Sequence, residues 1–109
     1  MKIPLVLAYS LILPILDIPW LYIQKTYNPF FKNRSGGAIW AVIPVYLALG
    51  YLLTLTSSPK EAFLYGLLVY AVYDFTNLAV LSDYPLSFAL LDTLWGGILF
   101  TLAYSLISR

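Results

Sequence analysis

Three aspartates stand inside apolar runs: Asp17 in "LILPILDIPWLYI", Asp74 in "LLVYAVYDFTNLAVL" and Asp92 in "LSFALLDTLWGGILF". A carboxyl group in such surroundings can do one of three things. It can hold a proton, because burial and a neighbouring carboxylate both favour the neutral acid. It can share a cation, and oxygen-only ligands suit Mg²⁺, Ca²⁺, Mn²⁺ or Na⁺, so a divalent cation is one candidate cofactor. Or it can accept hydrogen bonds from indoles, phenols and amides. Ion pairing is not on offer. No Lys or Arg lies deep in these runs, Lys25 stands only at the rim of the first, and the chain has no histidine.

Donors occur at helical spacing. Trp20 follows Asp17 by three residues, Trp95 follows Asp92 by three, Asn77 follows Asp74 by three, and Tyr70 precedes Asp74 by four. Spacings of three and four share one helix face. Asp17, Asp74, Asp92, Asn77, Trp20, Trp95 and Tyr70 therefore form the candidate ligand- or ion-binding set, with the three aspartates as its metal ligands. Pro14 and Pro19 bracket Asp17 and release the carbonyls of Ser10 and Ile15 from the helix ladder. Freed carbonyls beside a carboxylate can seat a cation, or simply mark a kink. Gly96-Gly97, after the third aspartate, reads as close helix packing.

The elements that position these groups are membrane spans. Apolar residues make up 61% of the 109-residue chain and charged residues 10%, too few to cover a water-facing surface. Apolar runs fall at about 3–24, 38–56, 61–81 and 85–107, each long enough to cross ~30 Å of hydrocarbon. In lipid the backbone must bond to itself, so the runs are helices. Ser58-Pro59-Lys60-Glu61 reads as a capping box with proline at the first helical position, and Asp83-Tyr84-Pro85 as a second helix start. Lys2 before an apolar run resembles a signal peptide, but the run continues past Pro14 and Asp17 to about Gln24 with no small-residue cleavage site. Short connections make neighbouring helices antiparallel. The expected fold is all-α: one domain over 1–109, a four-helix transmembrane up-down bundle in the lipid bilayer.

Asp17 and Asp74 each lie seven residues before the end of a span, and Asp92 lies seven after the start of one. With alternating directions this puts all three about 10 Å inside the same face. Each costs about 2.5–3.5 kcal/mol at mid-membrane and less near the interface, so the side chains are expected to turn inward and meet. Orientation is a tie: Lys25, Lys32 and Arg34 on one side, Lys2, Lys60 and Arg109 on the other. The weight of the first helix tips the long loop toward the cytoplasm.

Other chemistry is excluded. There are no cysteines and the net charge is +1, so disulfides, thiolate metal sites and a nucleic-acid footprint are absent. No nucleophile–base pair or Gly-rich phosphate loop is present.

"LDIPWL", "YDFTN" and "LDTLWGG", in this order and on these spans, resemble the small bacterial membrane proteins grouped as domain of unknown function 2177. The resemblance covers nearly the whole chain. It implies a four-helix membrane fold, a bacterial-type inner membrane, and Asp17, Trp20, Asp74, Asn77, Asp92, Trp95 and Gly96 as signature positions. It implies no activity. Three readings follow: a small channel or carrier for a proton or metal cation, in which the few helices imply a homodimer; a membrane-embedded enzyme acting on a lipid or isoprenoid; or a structural subunit in which the aspartates bind helices together.

Overall fold

Helix punctuation in the computed structural model, which describes residues 3–108, follows from a few caps and prolines. Lys2 and Arg109, two of the cations in the orientation tie, lie outside the described residues. The elements are α1 (Ile3–Tyr27), α2 (Pro29–Lys32), a 3₁₀ turn (Ile39–Ala41), α3 (Val42–Thr54), α4 (Pro59–Val80) and α5 (Leu86–Ile107). All regular structure among the described residues is helical. Helices α1, α4 and α5 are long and apolar enough to cross a membrane. The apolar helix Ile39–Thr54 is shorter, about 24 Å against ~30 Å of hydrocarbon. The second span, expected over 38–56, is thus trimmed at both ends.

The chain divides into two compact units, one ending at Leu55 and the other beginning at Thr56. In the first, α1 stays helical through Pro14 and Pro19. It runs three residues beyond its expected end because nothing breaks it before Asn28-Pro29. Asn28 then caps α2, its Oδ1 accepting from Phe30 N at 3.1 Å, with Pro29 in the first turn. The expected open loop after Gln24 is therefore partly helical. Lys25 Nζ closes this connection by donating to the carbonyls of Arg34 (2.7 Å) and Phe31 (3.1 Å). Helices α1 and α3 pack antiparallel. Gly50 of α3 lies so close to α1 that a Cβ there would collide with Ser10 Oγ and come within 2.9 Å of the Val6 carbonyl. Ser10 Oγ donates to that carbonyl at 2.7 Å.

In the second unit, Ser58 Oγ accepts from Glu61 N at 3.1 Å. The Glu61 carboxylate reaches one residue further back than a capping box requires, accepting from Ser57 N at 2.8 Å. Helix α5 begins at Leu86, one residue later than expected, with Pro85 as its cap position and no side-chain capping bond. Helices α4 and α5 cross with backbones nearly touching. A Cβ on Gly66 would collide with the Gly96 carbonyl and lie 2.9 Å from Phe100 Cβ, and one on Gly97 would lie 2.8 Å from the Phe63 ring. Small residues at such a crossing let dispersion contacts hold helices together where lipid offers no hydrophobic drive.

Each membrane-length helix has one buried stripe. On α1 it is Tyr9, Leu13 and Asp17; on α4 it is Ala62, Gly66 and Asp74; on α5 it includes Ala89, Asp92, Gly96 and Ala103. The intervals of three and four are those of a helix face. The aspartates therefore occupy packing positions. The opposite faces carry exposed apolar side chains, among them Leu11, Ile15, Leu68, Val72, Leu90 and Leu91, as a helix facing acyl chains requires.

Candidate functional site

The α4–α5 hairpin turns about Asp83, and Asp74 and Asp92 stand nine residues to either side of it. Antiparallel pairing brings these two positions level. Asp74 is fully buried and Asp92 is 5% exposed, and their side chains come within hydrogen-bonding reach of each other. Tyr84, from the connection between the helices, folds back over the pair. Its hydroxyl donates to Asp74 Oδ1 at 2.6 Å. Thr93 also approaches Asp74, but Thr93 Oγ1 donates to the Ala89 carbonyl at 2.8 Å. Among the described residues Asp74 Oδ2 receives no donor although it is buried.

Tyr84 is itself held by packing. It is 4% exposed, and its ring meets Phe88 edge to face at 5.7 Å. Burial first, then the hydrogen bond to Asp74, pushes its phenol above the ordinary value. Asn77 lies within hydrogen-bonding reach of Tyr84 and of Tyr73. The expected Asn77 amide thus joins the site through the tyrosines that surround the carboxyls. Tyr70, expected as a donor to Asp74, lays its ring on the face of Gly96 and meets Phe100 edge to face at 6.5 Å. Trp95 is half-buried on α5.

The other unit holds a single carboxylate. Asp17 is 4% exposed, and Tyr46 of α3 donates to its Oδ2 at 2.7 Å. Trp20 on the next turn of α1 is half-buried. Tyr46 and Tyr84 were not among the residues singled out from sequence. Neither is at helical spacing from its aspartate on the same helix. The signal that bears on Tyr46 is its place on α3, which a short connection is expected to lay antiparallel beside α1. No comparable pattern marks Tyr84, because a connection, not a helix, carries it.

The metal seat expected from Asp17, Asp74 and Asp92 finds no support. Among the described residues no group of three His, Cys, Asp or Glu side chains is placed to hold a metal ion. What the second unit assembles is two carboxyl groups within hydrogen-bonding reach, one phenol donating to one of them, and one carboxylate oxygen that lacks a donor among the described residues. Such a pair can take up one proton, which then bonds the two groups together.

Comparison with curated proteins finds no match, and neither does comparison with solved structures. The family model described as "Predicted membrane protein (DUF2177)" matches residues 3–108. That match covers both hairpins with all three aspartates, and the chain belongs to this family of membrane proteins.

Proposed function

We propose that the protein binds a proton within the bilayer and hands it on, with the Asp74–Asp92 pair as the carrier. One observation carries this reading: two buried carboxyls in mutual reach, with Asp74 Oδ2 offered no donor among the described residues. Two carboxylates side by side in a dry site repel each other, and one proton between them removes both the repulsion and the orphaned oxygen. A divalent cation fits this donor set less well. Ca²⁺ takes 6–8 oxygen ligands, and Mg²⁺ asks for octahedral geometry.

Handing the proton on needs access from water. Tyr84, between the helix ends and the pair, is the group a proton would pass on that side. We extend the proposal to the whole chain as one domain over 1–109, a four-helix up-down bundle that crosses the bilayer four times. Asp17, at the same sequence-derived depth, is then a further protonatable station. Four helices are few for a private path, so the working unit in this reading is a homodimer.

The test is proton flux into proteoliposomes under an imposed potential. Wild type should acidify the lumen, and Asp74→Asn and Asp92→Asn should each reduce the flux at least tenfold. Equal flux in wild type and Asp74→Asn rules the mechanism out.

A further inference from the structure

Thr93 stands beside the carboxyl pair with a hydroxyl that has two acceptors in reach. It follows Asp92 on α5 and is half-buried. Ala89 before it and Gly96 after it belong to the buried stripe of that helix, and intervals of four and three put Thr93 on the same face. Its Oγ1 donates to the Ala89 carbonyl at 2.8 Å and also lies within hydrogen-bonding reach of the Asp74 carboxyl. Tyr84 takes Oδ1 of that carboxyl, and Oδ2 is buried without a donor among the described residues. A threonine hydroxyl carries one hydrogen and turns it about the Cβ–Oγ bond without moving a heavy atom. The Ala89 carbonyl can release it at little cost, because inside α5 that carbonyl also faces the backbone N–H of Thr93, one helical turn on.

We infer that Thr93 is a positioning residue for the proton of the Asp74–Asp92 pair, its hydroxyl taking the place of that proton at Asp74 Oδ2 whenever the pair is empty. The inference rests on the reading of the pair as a proton carrier. With one proton bound, the Asp92 O–H donates to Asp74 Oδ2 and Thr93 stays on the Ala89 carbonyl. On release the O–H bond of Asp92 breaks, its electron pair stays on the carboxylate and the proton leaves for water. Oδ2 then loses its donor inside a buried site, and Thr93 turns to supply one. A buried carboxylate oxygen left without a donor is costly, so without the hydroxyl the pair gives up its proton less readily.

The test is proton flux by the full chain in proteoliposomes. Thr93→Val keeps the shape of the side chain and removes the hydroxyl. It should lower the flux about tenfold, the loss expected of one hydrogen bond to a charged group. Thr93→Ser keeps the hydroxyl and should keep most of the flux. Thr101 makes the same bond, to the Gly97 carbonyl at 2.8 Å, about 12 Å further along α5, so Thr101→Val should leave the flux unchanged. Equal effects of Thr93→Val and Thr101→Val would mark a hydroxyl that only braces the helix, and overturn the inference. Flux in Thr93→Val equal to wild type, with Asp74→Asn still impaired, overturns it too and leaves the carrier standing. Equal flux in wild type and Asp74→Asn overturns both. Melting curves confirm folding, and if Thr93→Val does not fold, Thr93→Ala against Thr93→Ser carries the same comparison.

Discussion

Asp74 on α4 and Asp92 on α5 face each other across a hairpin, both buried, and Tyr84 donates to only one of them. This asymmetry suggests which carboxyl bears the proton. In the proposed one-proton state, the Tyr84 hydroxyl favours negative charge on Asp74, and the expected place for the shared proton is Asp92. Asp92→Asn should imitate that state, because an amide N–H also donates. We expect it to unfold within about 1 kcal/mol of wild type. Asp92→Leu, which leaves Asp74 buried without a proton to share, should cost about 3–5 kcal/mol. Detergent melting curves of the two variants decide; equal destabilisation would show that the carboxyls do not interact.

Tyr46 and Asp17 make the corresponding bond in the first unit, at 2.7 Å. Tyr46→Phe removes the donor and leaves the ring. The expected loss is about 0.5–1.5 kcal/mol, the net worth of one hydrogen bond. The double variant Tyr46→Phe with Asp17→Asn should be less destabilised than the sum of the singles. Strict additivity would mean that the two side chains are not coupled.

Gly66 has the backbone of Gly96 where a side chain would go. Gly66→Ala should therefore force the helices apart and destabilise by about 1–3 kcal/mol, outweighing its gain in helix propensity. Gly37→Ala, in open space, should leave the melting temperature unchanged. The pair of variants separates close packing from any general intolerance of alanine.

Tyr84 carries a pH signature. Its phenol is raised above its ordinary value, by burial first and then by the bond to Asp74. A raised group contributes stability that is fully present below the unfolded value near ~10 and is lost as pH climbs through the folded value. Alkaline absorbance titration of the folded protein should show Tyr84 among the last tyrosines to ionise. In Tyr84→Phe that late step should shrink by one tyrosine; loss of an early step instead would place Tyr84 in water.

Much of this protein is legible in its residues taken in order. Apolar runs and their punctuation set the helices, since the backbone in lipid can only bond to itself. Ser58 and Pro59 mark the start of α4. Asp17, Asp74 and Asp92 declare themselves by being out of place, and their spacing from residues such as Gly66 and Gly96 puts them on packing stripes.

Which groups meet was a matter for the tertiary structure. Local spacing nominates donors only on the aspartate's own helix, whereas Asp17 takes a hydrogen bond from Tyr46 on α3 and Asp74 takes one from Tyr84 in a connection. The physical reason is direction. Side chains three or four apart on one helix lie stacked along its face, whereas a buried carboxyl points outward at whatever the next element presents. Sequence alone determined that this is a membrane protein of apolar helices with three aspartates set among their apolar residues. Only the packing of each hairpin decided that Asp74 takes Asp92 and Tyr84 as partners and Asp17 takes Tyr46, because those partners are chosen by the registers of antiparallel helices and by one connection folding back.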